Sequence, residues 1–334
     1  MTISTLIFFI LGIALISYGA NVLVSSTQNI SEKYDISYFI SSFIFIGLAT
    51  SSPEIIISIL SSLDGKSNIA IGNALGSNIA NVALVFALSY LFLTRNDLQL
   101  NKKIDKETYG FILFLIIVSL LMIPLLSDGI FTFTESIVLI TVFIILMILY
   151  KNFYYSNDSN IKKTISHNHK SGLMIALATI IGFTLLLIGT EIFLASGISI
   201  AKYFGVTDYV IGLSITAVGT SIPELASSIE SARKKNTDFI IGNILGSNIF
   251  NFTIVISAAG LISLAQEPLL MSDLIRDMIM ILITLICFYI IIKNYNYMST
   301  KFLCISLLVL FVIYQISSVS YTHLRAHETR EDLV

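Results

Sequence analysis

The chain has 334 residues, of which 55% are hydrophobic and 12% charged, with a mean hydropathy of +0.88 and a formal net charge of −2. A soluble protein of this length needs more charge to cover its surface, so the composition indicates a chain whose solvent is mostly lipid. Because no basic domain is present to contact phosphates, we expect no nucleic-acid partner.

Apolar stretches long enough to cross a bilayer, roughly 20 residues each, recur along the chain. They predict an all-α polytopic membrane protein with about ten transmembrane helices in the lipid bilayer. The approximate spans are 3–28, 37–62, 68–93, 108–127, 130–150, 171–201, 206–232, 238–264, 272–292 and 300–318. The first span has no basic segment before it, so we expect a retained helix and not a signal peptide.

The longest polar link lies near the middle of the chain, at residues 151–170. We interpret residues 1–150 as a first repeat of five helices and residues 171–316 as a second. Residues 317–334 form a polar tail without an apolar period. This tail resembles translated cloning sequence, and we assign no function to it.

Basic residues are distributed unevenly between the links. If the N-terminus is outside, the inner links hold 14 Lys and Arg residues and the outer links hold three, while the last two of the 19 lie in the tail. Since the cytoplasmic links of membrane proteins carry the excess of Lys and Arg, we expect this orientation, with the 151–170 linker in the cytoplasm. We expect a multi-pass protein of the plasma (inner) membrane that works as a monomer.

The two halves carry the same motif at an offset of 170 residues. Thr-Ser-Ser-Pro-Glu at 50–54 aligns with Thr-Ser-Ile-Pro-Glu at 220–224. Further along, Gly-Asn-Ala-Leu-Gly-Ser-Asn-Ile-Ala-Asn at 72–81 aligns with Gly-Asn-Ile-Leu-Gly-Ser-Asn-Ile-Phe-Asn at 242–251. Most of the identical residues are Gly, Ser, Thr, Asn, Pro and Glu, which chance alignment of apolar segments does not produce.

The repeat also has a predicted orientation. Between 47–82 and 217–252, 16 of 36 residues are identical, so the halves share an origin and a fold. Because each half has an odd number of helices, the second half enters the membrane from the opposite side. Inverted repeats are typical of secondary transporters, which bind substrate near the midplane where the repeats meet.

Each copy of the motif places a glutamate, Glu54 or Glu224, deep in an apolar span. An ionised carboxylate near the bilayer centre costs about 2.5–3.5 kcal/mol on insertion scales, so two at equivalent positions indicate a functional site. Pro53 and Pro223 stand directly before them. A proline cannot donate to the carbonyl four residues earlier, and we expect a kink that frees carbonyl oxygens to line a cavity.

Other oxygen-bearing side chains accompany the glutamates. Thr50 and Ser51 precede Glu54 by one helical turn, so they share its face. Residues spaced by four form a polar stripe on the next helix of each half, namely Asn73, Ser77 and Asn81, and Asn243, Ser247 and Asn251. Carboxylate, amide, hydroxyl and backbone oxygens without sulfur or imidazole are the ligands of hard cations: calcium, sodium, magnesium or manganese.

Both copies resemble the alpha-repeats of the sodium/calcium exchanger family of the calcium:cation antiporters, in its bacterial and archaeal form. The resemblance implies ten helices, with alpha-repeats at about 37–93 and 206–264 that clasp the ions. The ion ligands that it implies are Thr50, Ser51, Glu54, Ser77, Asn81, Thr220, Ser221, Glu224, Ser247 and Asn251, with sodium contacts from the carbonyls of Gly47 and Ala217. Several relatives carry Asp at the position of Asn251, which argues against potassium co-transport here and leaves the stoichiometry open.

We therefore expect a non-enzymatic antiporter that exchanges sodium for calcium and needs no cofactor. Proton-coupled exchange of calcium or another divalent cation, with Glu54 or Glu224 titrating, remains an alternative. A passive channel would not need the inverted repeat, and the missing His argues against an intramembrane acid hydrolase. Glu191, the counterpart of Asn21, is left open between an ion path and an interfacial carboxyl.

Overall fold

The computed structural model describes the chain except for short segments at its ends and between helices. The described residues are 3–100, 106–150, 171–204, 217–262, 269–293 and 296–331. Every regular element in these ranges is a helix. The predicted 151–170 linker lies outside them.

The long helices follow the predicted apolar stretches. In the first half they are α1 (Ile3–Tyr34), α2 (Tyr38–Thr50), α3 (Ser52–Leu63), α4 (Ser67–Phe92), the short α5 (Arg95–Leu100), α6 (Lys106–Leu125) and α7 (Phe133–Tyr150). In the second half they are α8 (Gly172–Tyr203), α9 (Ala217–Gly219), α10 (Ile222–Arg233), α11 (Thr237–Ile262), α12 (Met271–Lys293) and α13 (Tyr297–Glu331).

Eight of the described helices are long and apolar enough to cross a membrane, or nine if the bent pair α2 and α3 is one span. The prediction of a helical, polytopic membrane protein is confirmed. The count of ten stays a prediction, because the expected seventh span, 206–232, is described only from residue 217 onward. α13 continues as a helix to Glu331, through most of the segment that the sequence marks as a polar tail.

The helices form a centre and a periphery. In α11, 94% of the most apolar 18-residue window is buried, and in α4 the share is 72%. The corresponding shares in α7 and α8 are 17% and 22%, and these helices expose Ile and Leu side chains around the outside. An apolar exterior around two central helices suits a protein surrounded by lipid, and it places the motif residues of α4 and α11 in the middle.

Aromatic side chains join the first half to the second. Phe43 of α2 packs against Phe111 of α6, with ring centroids 4.6 Å apart, and against Phe250 of α11 at 5.5 Å. Phe43 and Phe111 are buried almost completely. Such tilted pairs add to the burial of apolar area, so this cluster fixes α2 against the central helix α11.

Helices α1 and α8 approach each other closely through glycines at equivalent positions of the two halves. A Cβ at Gly19 would lie 2.6 Å from the backbone nitrogen of Leu186, and a Cβ at Gly182 would lie 2.6 Å from that of Leu23. No side chain fits at these distances, so small residues allow the two backbones to touch.

The two halves also share unusual local geometry. Gly65 ends the turn after α3 with φ 73°, and Lys235, 170 residues later, has φ 58° after α10. Left-handed backbone at the end of a helix favours glycine and is uncommon in other residues. Because a lysine keeps this conformation, the turn is a property of the repeated fold.

Polar contacts join α5, the turn after α10 and α13 at one end of the bundle. Thr94 and Asp97 cap the start of α5 reciprocally: the Asp97 carboxylate accepts from the Thr94 amide at 2.8 Å, and the Asp97 amide donates to the Thr94 hydroxyl at 3.4 Å. Lys235 lies 3.8 Å from Asp97. Nearby, the ammonium of Lys301 on α13 donates to three main-chain carbonyls of residues 90–93.

Candidate ion-binding site

Two broken helices bring the repeated Thr-Ser-x-Pro-Glu motifs into the protein interior. The chain bends by 40° between α2 and α3, where Ser51 has φ −81° and ψ 2°. Ser221 has nearly the same angles, φ −88° and ψ 5°, between α9 and α10. The following proline suits the first turn of a helix, where no amide hydrogen is needed, so each motif ends one helix and starts another.

The breaks place both glutamates at helix starts. Glu54 lies in the first turn of α3 and Glu224 in the first turn of α10, and both side chains are completely buried. The partial positive charge of a helix N-terminus stabilises a nearby carboxylate. The two carboxyl groups are close enough to interact electrostatically, so the two half-helices direct negative charge into one region.

Hydroxyl groups surround the carboxylates in a crossed arrangement. Glu54 faces the hydroxyls of Ser77 and Thr220, and these two oxygens are 3.3 Å apart. Glu224 faces the equivalent hydroxyls of Ser247 and Thr50, which are 3.2 Å apart. Each carboxylate thus meets one hydroxyl from its own half and one from the other, as expected if the 170-residue offset is a symmetry of the site.

None of these hydroxyls saturates the carboxylates. All four carboxylate oxygens of Glu54 and Glu224 are buried, and none forms a hydrogen bond of good geometry within the described part of the chain. Buried carboxylates are normally paired, so these oxygens have unused capacity for a cation. Within the described ranges, no group of three or more His, Cys, Asp or Glu side chains comes together, so a cation held by the two carboxylates would also need hydroxyl, amide or main-chain oxygens.

All ten side chains that the resemblance implied as ligands are buried. We call this set the central oxygen site: Thr50, Ser51, Glu54, Ser77, Asn81, Thr220, Ser221, Glu224, Ser247 and Asn251. The contacts described above join its threonines, its glutamates, Ser77 and Ser247. The hydroxyls of Ser51 and Ser221 have no hydrogen-bond partner among the described residues.

The sodium contacts expected from the two backbone positions stay predictions. The Gly47 carbonyl accepts from the Ser51 amide at 3.1 Å and the Ser247 hydroxyl at 3.4 Å, so it lies beside the site. Ala217 begins α9, and its side chain lies outside the described residues. The Ala49 carbonyl, which Pro53 was expected to leave free, accepts from the Ser52 hydroxyl; the sequence prediction is wrong there, because a neighbouring serine replaces the missing donor.

The amides of the site begin wider helical turns. In α4 a π-helical turn runs from Asn81 to Phe86, and in α11 one runs from Asn251 to Val255. Such turns occur frequently at functional sites because they rotate side chains and loosen main-chain carbonyls. The sequence gives no period that would reveal them.

Sequence reasoning missed two asparagines. Asn81 donates to the Oδ1 of Asn248 at 3.1 Å, and Asn78, the counterpart of Asn248, is also buried. Both stand in the Gly-Ser-Asn segment shared by the two motifs, so the repeat itself was the available signal. The four-residue stripe that predicted Asn73 and Ser77 passes over them.

Glu191 has a different environment. Its side chain is exposed on α8, a helix whose surface faces mostly outward. It therefore does not join the buried carboxylate pair.

Helices with an apolar exterior, around a buried pair of carboxylates and their hydroxyls, are features of a polytopic membrane transporter for cations. The family described as "Sodium/calcium exchanger protein" matches residues 4–151 and 174–319. The chain therefore belongs to the sodium/calcium exchanger family, whose members are cation antiporters and not enzymes.

Several curated relatives cover most of the chain. It is 32% identical to the "Uncharacterized membrane protein MJ0091" of Methanocaldococcus jannaschii, over 72% of this chain and 76% of that protein. It is 30% identical to the "Putative antiporter CaxA" of Alkalimonas amylolytica, over 77% and 80% of the two chains. It is 27% identical to the "Sodium/calcium exchanger MaX1" of Methanosarcina acetivorans, over 78% and 83%.

Solved structures agree with this membership. The sodium-calcium exchanger NCX_Mj, soaked with zero Na+ and Ca2+, superposes with a TM-score of 0.74 at 27% sequence identity. The match covers 95% of this chain and 99% of that one. The likeness therefore extends over both halves and the central helices.

Proposed function

We propose that this protein exchanges sodium for calcium across the membrane by alternating access, with both ions competing for the central oxygen site. The observation that carries the proposal is the pair of buried carboxylates, Glu54 and Glu224, whose four oxygens are unpaired within the described part of the chain. Two carboxylate charges balance one Ca2+ or two Na+. Hydroxyl and amide oxygens around them are hard ligands, as both ions prefer.

The positions of the two threonine hydroxyls support the proposed ligand shell. The hydroxyls of Thr50 and Thr220 lie between the two halves, where an ion bound by both glutamates would meet them. The carbonyls of Gly47 and Ala217 add sodium contacts. Asn251 supplies an amide, so the site carries only the two glutamate charges, and this supports exchange without potassium.

We infer that ten spans form two inverted repeats, with the N-terminus outside and the 151–170 linker in the cytoplasm of the plasma membrane. Contacts join residues that this topology places on one side. Lys235 lies 3.8 Å from Asp97 at the predicted inner face, and the Leu269 amide donates to the Gly129 carbonyl at 2.7 Å at the predicted outer face. The crossed site is complete within one chain, which supports a working monomer.

The proposal is tested by calcium-45 uptake into proteoliposomes that contain the purified protein. An outward sodium gradient should drive uptake, and a pH gradient alone should not. Uptake that follows the pH gradient and ignores sodium would replace the proposal with proton-coupled exchange. Flux without any counter-ion would indicate a channel.

Two variants test the site itself. Glu54→Gln and Glu224→Gln each remove one of the two charges and should lower the initial rate at least about tenfold, because ligand charge sets divalent affinity. The matched control is Asp64→Asn, the same chemical change at an exposed position at the end of α3. It should keep the rate within about twofold, as surface substitutions do. Substantial exchange in both glutamine variants would refute the site.

A further inference from the structure

The 170-residue offset relates two pairs of asparagines, and the two pairs differ in their hydrogen bonding. Asn81 of α4 donates to Asn248 of α11 at 3.1 Å. The equivalent pair is Asn251 of α11 and Asn78 of α4. Both are buried, on elements in contact, yet no nitrogen or oxygen of either amide has a partner within the described ranges.

A second pair of equivalent asparagines also differs, but here the residue of the second half is the bonded one. The amide nitrogen of Asn243 donates to the hydroxyls of Ser227 at 3.1 Å and Ser228 at 2.8 Å, which ties α11 to α10. Its counterpart in the first half is Asn73, whose amide nitrogen has no partner among the described residues. Part of this difference follows from the sequence, because the counterpart of Ser227 in the first half is Ile57.

A buried amide without partners is rare in native proteins and needs an explanation. Sequence does not account for the difference between the Asn81–Asn248 and Asn78–Asn251 pairs, because the 170-residue offset places an asparagine at each of these positions. A transporter built from inverted repeats can reach its opposite-facing state when the two repeats exchange local conformations. In that state the open pair would close and the closed pair would open.

We propose that Asn248 and Asn78 are reciprocal positioning residues for the two ligand amides. In this access state Asn248 holds Asn81, and in the opposite state Asn78 holds Asn251. Each state therefore orients one ligand amide through its nitrogen, which leaves its oxygen free to bind the ion, and leaves the other amide unoriented. The inference rests on the proposed alternating-access function, and it adds two residues that act on the site through Asn81 and Asn251.

The experiment compares Asn248→Ala with Asn78→Ala. The half-saturating calcium concentration is measured on each membrane face, in right-side-out and inside-out vesicles. Removing Asn248 takes one hydrogen bond from the present state only, and removing Asn78 takes one from the opposite state only. The ratio of the two half-saturating values should change about fivefold in each variant, in opposite directions.

The double variant distinguishes this role from general damage. Because both states then lose one bond, its ratio should return to the wild-type value even if thermal unfolding shows reduced stability. Shifts of the ratio in the same direction, no shift in either single variant, or no recovery in the double variant would overturn the inference. Uptake is driven by whichever gradient, sodium or proton, drives it in the wild type. The ratio of half-saturating concentrations can therefore be measured even if the proposed sodium coupling fails.

Discussion

The close crossing of α2 and α11 gives a prediction whose size follows from the distances between their backbones. In Gly246→Ala the new Cβ would lie 2.6 Å from the Phe43 carbonyl oxygen and 3.1 Å from the Phe43 Cα. Ordinary contact begins at 3.4 Å, so the backbones must separate by about 0.8 Å, the difference between 3.4 and 2.6 Å. Since both atoms are backbone, no side-chain rotation relieves the overlap.

We expect this overpacking to cost about 1–3 kcal/mol, of which alanine's better helix propensity returns at most about 1 kcal/mol. The displacement also carries Ser247 away from the Gly47 carbonyl, 3.4 Å from its hydroxyl, and breaks that contact. The variant should therefore unfold at a lower temperature in detergent, followed by circular dichroism, and should need more calcium for half-maximal uptake.

The matched control is Gly76→Ala, the equivalent position in the first half. A Cβ there meets no atom of the described residues within 4 Å, so the substitution should leave the unfolding temperature unchanged or raise it. Equal losses of stability in the two variants would refute the crossing geometry. An unchanged calcium requirement in Gly246→Ala would show that the packing of α2 against α11 does not affect ion binding.

Two further predictions concern the polar contacts of Asp97 and Lys301 at one end of the bundle. The hydrogen bonds from Thr94, followed by the attraction of Lys235, hold the pKa of Asp97 below its usual range. This carboxylate therefore stabilises the fold above about pH 4, and the stabilisation is lost as the pH falls through the lowered pKa. Asp97→Asn should cost about 1 kcal/mol in the free energy of unfolding at pH 7, and the difference from wild type should disappear below the lowered pKa of Asp97 in circular-dichroism melts. Lys301→Met removes the hydrogen-bond donor from three carbonyls of residues 90–93. It should lower the free energy of unfolding by about 1–3 kcal/mol in the same melts at pH 7. A loss no larger than that of the exposed control Lys293→Met would contradict the capping role.

The sequence predicted the helices because each long apolar run must satisfy its own backbone in lipid. It predicted the breaks because Pro53 and Pro223 cannot continue a hydrogen-bonded turn. It also selected Glu54 and Glu224, since charge in an apolar span has few structural uses. These features depend on local chemistry, and one sequence is sufficient to find them.

What it could not predict depends on contacts between distant segments. Asn248 accepts from Asn81 across 167 residues, and no spacing rule connects them. The π-helical turns at Asn81 and Asn251 are not marked by any residue type, since the residues that follow also occur in ordinary α-helices. The hydrogen bond from the Ser52 hydroxyl to the Ala49 carbonyl likewise depends on a side-chain rotamer that the sequence does not determine.

The unpaired oxygens of Glu54 and Glu224 have a consequence for the tightness of coupling. If the site binds ions as proposed, the unloaded protein keeps two uncompensated charges among apolar helices, and closing the protein around them costs several kcal/mol, at about 2.5–3.5 kcal/mol per charge on insertion scales. A bound cation removes that cost on either side of the membrane. Loaded protein can then change its facing readily and empty protein cannot, so the same two carboxylates that bind the cargo also prevent idle cycles that would dissipate the gradient.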